Sequence, residues 1–157
     1  MKAIVYNEYS PEDDFAKILK VQEVDDPKPK SDEVVFQVKA AALNYNDIWG
    51  MRGNPVPVPL PHVSGSDAAG DVIAVGEDVK NIQVGDRVVS HSNMSCRVCK
   101  ACTDGREFDC TKRIIWGFQT GPNWGAFSEQ THLPEVNVAK IPENVSYDDA
   151  AAASMTL

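Results

Sequence analysis

Four cysteines are the only ones in this chain of 157 residues, and they stand as Cys96, Cys99, Cys102 and Cys110 in the spacing Cys-x2-Cys-x2-Cys-x7-Cys. Four thiolates complete a closed tetrahedron at zinc and leave no position open for water or substrate. The spacing therefore predicts one structural zinc that folds a lobe over residues 95–113 and takes no part in catalysis. That segment is rich in Lys, Arg, Asp and Gly and has little apolar surface of its own to hold it together. Two other readings of the quartet stay open at this point. Disulfides between cysteines so near in sequence close small, strained rings, and an iron–sulfur cluster also takes four thiolates.

The rest of the chain carries enough apolar material, 43% of residues, for one ordinary core. Its formal charge of -8, with no dense basic run, excludes a nucleic-acid surface. The start turns polar by Asn7 and Glu8, too soon for a signal peptide, and no apolar run approaches the ~20 residues of a membrane span. We expect a cytoplasmic protein without membrane or nucleic-acid partners.

Short β-type runs recur at 2–6, 17–24, 33–41, 71–76, 87–90, 126–133 and 137–141, each bounded by Pro, Gly or Asp. A short helix is predicted over 44–51, capped by Asn44 and stopped by Gly53. Ser146 and Asp149 read as a capping box opening a second helix through the alanines toward the end of the sequence. Between 54 and 61 proline at every second position excludes both helix and central strand and leads an extended connector to His62. Gly65 to Gly70 lacks the central glycine of a dinucleotide phosphate loop and precedes a strand, so no nucleotide-binding unit is predicted.

The whole set of motifs resembles the GroES-like catalytic domain of the medium-chain dehydrogenase/reductase superfamily, the zinc alcohol dehydrogenase and quinone reductase group. The likeness rests on the Met-Lys-Ala start, Pro27 and Pro29, the run Ala42-Leu-Asn44-Tyr-Asn46-Asp47, the stretch from Gly65 to Gly76, Val84-Gly-Asp-Arg-Val88, the cysteine lobe and Gly125-Ala-Phe-Ser-Glu129. It implies a mostly-β, α+β fold, a partly open GroES-like barrel with short helices, over residues 1–157. It also implies a Rossmann domain binding NADPH or NADH after 157, so that this chain alone is expected to be inactive and the full-length protein a homo-oligomer.

Alcohol dehydrogenases of this superfamily hold a second, catalytic zinc through a cysteine and a Gly-His-Glu motif. At the matching positions this sequence reads Asn44 and Gly65-Ser66-Asp67, and near the third ligand it reads Ser154-Met155. One zinc is predicted, not two. Without that Lewis acid, a reaction that develops a full alkoxide is disfavoured. Reduction of an activated C=C bond needs only hydrogen-bond donors at an enolate and a proton source. Within the superfamily the sequence is most similar to enoyl-thioester reductases related to crotonyl-CoA carboxylase/reductase, through Asn44 to Asn46 with Trp49, Gly65 to Gly70, Val89 to Asn93 and Arg113 to Phe118. The carboxylating members hold carbon dioxide with an Asn and a Phe-Glu pair, and here the pair is Phe118-Gln119, a departure that puts carboxylation in doubt and leaves reduction open.

The expected substrate is a small molecule: an enoyl-CoA thioester such as crotonyl- or acryloyl-CoA, an enone or a quinone. The resemblance places Asn44, Tyr45 and Asn46 at the nicotinamide, with Asn44 and Tyr45 as cofactor contacts. Asp67 and His91 join them as catalytic candidates, Asp67 in place of a metal ligand and His91 as an imidazole able to supply a proton at neutral pH. Asp47 is expected to anchor the helix or a neighbouring Arg. His62, which lies near a motif as His91 does and offers the same imidazole chemistry, is expected to be structural, as is His132. Trp116, Phe118, Trp124 and Phe127 are expected to fill either core or an acyl pocket. An alcohol dehydrogenase with an unusual metal site and a non-catalytic zinc-stabilised binding module are the competing readings.

Overall fold

The chain was analysed as a computed structural model, which describes residues 1–121 and 124–155. Its frame is a five-stranded antiparallel sheet in the order β8-β3-β4-β5-β9. β3 (Glu33–Ala42), the longest strand, is flanked by β4 (Asp67–Val75) and β8 (Gln130–Pro134), while β5 (Arg87–Ser90) and β9 (Val138–Lys140) extend the β4 side. The first four residues of β3 are buried without alternation, because both faces are covered there, and the strand then alternates toward its end. Register shifts between Val35 and Phe36 and between Val38 and Ala40 bend β3 as it crosses the sheet. The main core of Val34, Phe36, Val72, Val88, Trp116 and Leu133 lies on one face.

A ribbon of β1 (Lys2–Val5) and β2 (Lys20–Glu23) closes one end, held by single bridges from Ala3 to Ser128 and from Tyr6 to His62. Between its strands the chain makes one helical turn, α1 (Phe15–Ile18). A second cluster of Tyr6, Ile18, Met51, Val58 and Phe118 seats α2 (Tyr45–Arg52). The connector 54–61 carries neither helix nor strand, as its prolines require. A third cluster, in which Ala150 and Ala151 pack on Ala69 and Ile141, seats α4 (Tyr147–Ala153) on the sheet.

Several boundaries depart from the sequence reading. Lys17 and Ile18, expected in a strand, belong to α1, because a helical turn turns both Phe15 and Ile18 toward the second cluster. The strand expected over 71–76 begins four residues earlier, at Asp67, and Gly70 lies within it rather than at a turn. A Cβ on Gly70 would stand 2.0 Å from the Gln37 carbonyl oxygen, so the glycine serves close strand approach. Residues 126–129 are not ladder strand, since Ala126 and Phe127 donate their N–H groups to Gly65 and Ser64. The strand expected over 137–141 is preceded by a 3-10 turn (Glu135–Asn137). The second helix ends at Ala153 instead of running on; Thr156 and Leu157, which the sequence reading placed beyond its alanines, lie outside the described residues.

Gly70→Ala is expected to cost about 3 kcal/mol through this backbone clash, read as a lower midpoint of urea unfolding with an unchanged slope.

Candidate functional site

The first turn of α2 organises the site. Asn44 caps the helix in an extended conformation, and its Oδ1 accepts the Tyr45 N–H at 2.7 Å. Asp47 answers from the third helical position: its Oδ2 accepts the Asn44 N–H at 2.8 Å, and its Oδ1 accepts the Gly65 N–H at 3.0 Å. One buried carboxylate therefore joins the start of α2 to the approach to β4, which confirms Asp47 as an anchor. Burial pushes the Asp47 carboxyl up to about 6, against the pull of the two N–H donors, and the neighbouring Asp67 charge adds to the rise.

Behind the cap lies a layer of amides and hydroxyls. Asn46 Nδ2 donates to Ser66 Oγ at 2.7 Å, and Asn44 Nδ2 reaches Asp67 Oδ2 at 3.4 Å. Ser92 Oγ and Ser90 Oγ both donate to the Ser66 carbonyl. Ser154 Oγ, at the end of α4, donates to the Ser90 carbonyl at 2.7 Å. The positions expected from the resemblance to ligate a second metal, Asn44, Ser66, Asp67 and Ser154, thus meet in space, but they meet as a hydrogen-bonded layer. Among the described residues the four cysteines are the sole group of three or more His, Cys, Asp or Glu side chains placed to share an ion.

The candidates divide by access. Asn46 and Asp67 are 5% and 2% exposed, whereas Asn44 is half-buried and Tyr45 is 58% exposed. Asn46 Oδ1 and Asp67 Oδ1 have no hydrogen-bond partner among the described residues. Burial raises the Asp67 carboxyl above its ordinary value, while the Asn44 amide, the Met155 N–H and the Ser154 hydroxyl pull the other way. His91 is exposed and stands apart, lining with Ser90 and Ser154 a largely apolar cavity of about 350 Å³ beneath α4. His62 is buried between the Pro59 and Gly117 carbonyls, and burial lowers its pKa, as expected of a structural histidine. Trp116 and Phe118 are core; Trp124 and Phe127 pack at the edge of a smaller cluster around Val5 and Val63. Gln119 is turned inward, its Oε1 accepting the Ile115 N–H at 3.0 Å.

The sequence reading missed the short hairpin of β6 (Asn93–Met94) and β7 (Ile114–Ile115) that closes the base of the cysteine lobe, and it missed α3 (Lys100–Thr103) within it. The cysteines are free thiols, which removes the disulfide reading. Their sulfurs lie within 4.8 Å of one another, with Cys96 to Cys102 at 3.9 Å and Cys99 to Cys102 at 3.4 Å. Four sulfurs at zinc bond lengths of ~2.3 Å stand ~3.8 Å apart, so the quartet fits the ion. The N–H groups of Val98 and Cys99 favour the Cys96 thiolate. The lobe offers little else to hold it, with Val98 and Phe108 exposed by 80% and 67%.

Residues 30–143 match the model of the alcohol dehydrogenase GroES-like domain. The chain belongs to that family. It is 36% identical over 145 residues to crotonyl-CoA carboxylase/reductase of Cereibacter sphaeroides, covering 88% of this chain and 33% of that protein. To acryloyl-coenzyme A reductase of Metallosphaera sedula it is 34% identical over 130 residues, covering 83% and 38%. A solved NAD-dependent alcohol dehydrogenase superposes with a TM-score of 0.90 at 38% identity, over 99% of this chain and 44% of that one. A cobalt- and zinc-bound alcohol dehydrogenase from Pyrobaculum aerophilum gives 0.84 at 29%, over 96% and 44%. The GroES-like, mostly-β expectation therefore holds, and the chain spans between 33% and 41% of the length of its first curated relatives.

The Asp47 carboxyl gives a pH signature. Because the folded GroES-like domain binds this proton more tightly than the unfolded chain, stability falls as pH rises from about 4 to about 6, by up to ~3 kcal/mol. Asp47→Asn lacks that titration, so the stability of the parent relative to the variant is expected to decline across this window in urea unfolding, and a pH-independent difference contradicts the assignment.

Proposed function

We propose that this chain is the substrate-side domain of an NAD(P)H-dependent oxidoreductase that reduces a C=C bond conjugated to a carbonyl, with an enoyl-CoA thioester as the favoured substrate and an enone or quinone as the other members of the class. The observation that carries this reading is the placing of two uncharged donors, the Asn44 amide and the Tyr45 phenol, at the accessible start of α2. Asn44 matches a position where the resemblance puts a metal ligand in alcohol dehydrogenases, Tyr45 follows it on the helix, and Asp67 is the one strong ligand type left among the matching positions.

A nicotinamide bound by the full-length protein would supply hydride to the β carbon, with a solvent-derived proton completing the product at the α carbon. The domain's task is to hold the carbonyl oxygen as negative charge develops on it. Asn44 has one amide hydrogen turned to Asp67 and a second available to that oxygen, and Tyr45 offers its hydroxyl proton. Buried Asp67 acts through Asn44 by fixing the amide's orientation, and Asn46 supports the same layer through Ser66. His91 lines the cavity beneath α4 with Ser90 and Ser154, and we assign it proton exchange with solvent. The cysteine quartet holds one zinc, which supports the lobe.

In the full-length protein, NADPH or NADH oxidation is expected with crotonyl-CoA, acryloyl-CoA or a quinone, and not with a simple aldehyde. Asn44→Ala is expected to lower kcat/KM by about 100-fold without changing zinc content. Turnover of the aldehyde alone overturns the reading in favour of an alcohol dehydrogenase. No turnover of any of these substrates favours a binding module.

A further inference from the structure

The exposed phenol of Tyr45 is not free to swing. Trp49, one helical turn on, meets its ring edge to face, with centroids 5.4 Å apart and planes at 82°. Arg52, two turns on and on the same face of α2, donates from Nη1 to the Tyr45 hydroxyl oxygen at 3.4 Å. A phenol oxygen that accepts from a guanidinium keeps its own proton for another partner. No acceptor takes that proton among the described residues.

Arg52 is itself aimed. Its Nε and Nη2 form a two-pronged pair with Asp13, at 2.6 Å to Oδ1 and 2.5 Å to Oδ2. This geometry fixes the guanidinium plane and leaves Nη1 as the free prong. Asp13 occupies the left-handed region with φ at 64°, a conformation an L residue adopts at a cost unless its surroundings require it. The surroundings do so here. The 8–14 loop is bound to the end of α2, with Ser10 donating its N–H to the Met51 carbonyl at 2.7 Å and Asp13 donating to the Ser10 carbonyl at 3.1 Å. Tyr9 packs over Gly53, where a Cβ would lie 2.7 Å from the ring, and donates to the Val58 carbonyl at 2.6 Å. A loop far from α2 in sequence is thus built to deliver one carboxylate to one arginine.

We propose that Asp13 and Arg52 are positioning residues that present the Tyr45 phenol as a hydrogen-bond donor to the substrate carbonyl oxygen. The pair sets the ring's direction and polarises its O–H bond, and neither residue touches the reacting atoms. The proposal rests on the reading of Tyr45 given above.

The test is a double-mutant cycle in the full-length enzyme, with thermal melting to confirm that each variant folds. Tyr45→Phe is expected to lower kcat with the preferred enoyl thioester or enone by about 10- to 100-fold. Arg52→Met is expected to reproduce most of that loss, Arg52→Lys to recover part of it, and Asp13→Asn, which tolerates the same backbone conformation, to lose a few-fold. The Tyr45→Phe, Arg52→Met double variant is expected to be no slower than Tyr45→Phe alone. Additive losses, or an Arg52→Met enzyme that melts lower but turns over normally, overturn the positioning role. A fully active Tyr45→Phe enzyme overturns the reading of Tyr45 itself.

Discussion

One buried carboxylate sets the geometry on which the site depends. Asp47 accepts the N–H of Asn44 at the helix cap and the N–H of Gly65 on the approach to β4, so two segments far apart in sequence are fixed against each other at a single side chain. From that joint follow the orientation of Asn44, the contact of Asn46 with Ser66 and the position of Asp67 beneath the cap. A carboxylate in such a place is costly to ionise, which is why its pKa rises. Its two backbone donors keep it from being an unpaired buried charge.

The two halves of the molecule use different means to become rigid. The sheet and its helices are held by apolar burial, with Trp116, Phe36 and Leu133 at the centre. The lobe has surface ion pairs such as Lys100 with Asp104 and Arg106 with Asp109, which contribute little in water, and a sulfur quartet of the right size for zinc. The layer behind the α2 cap, Ser66, Ser90, Ser92, Asn46 and Ser154 with Asp67 at its edge, is polar and buried. Such a layer keeps its amides and hydroxyls in fixed orientations through shared hydrogen bonds.

What the sequence made legible was local. The cysteine spacing and the Asn44 cap act within a few residues and appear where expected. At the second helix Ser146 does cap through the Asp149 N–H, but the reciprocal half of the expected box is replaced by the Ser146 hydroxyl donating to the Asp149 carboxylate. The glycines were harder to read. Gly53 does end α2 in the left-handed conformation, but Gly70 looks the same in sequence and serves strand approach instead. The burial of Asn46 and Asp67 was hidden because it depends on α4 and β5 closing over them. The pairing of Asp13 with Arg52 spans 39 positions; the one local trace of it was Arg52 falling seven residues after Tyr45, two turns along the same helical face.

The division between a metal that supports and donors that react is tested most directly by counting metal sites. The full-length protein, stripped and titrated with cobalt(II), is predicted to take up one equivalent, whose spectrum carries thiolate charge-transfer bands and disappears in a Cys96→Ser, Cys110→Ser variant. A second tight equivalent that persists in that variant and is lost on replacing Asp67 would contradict the account.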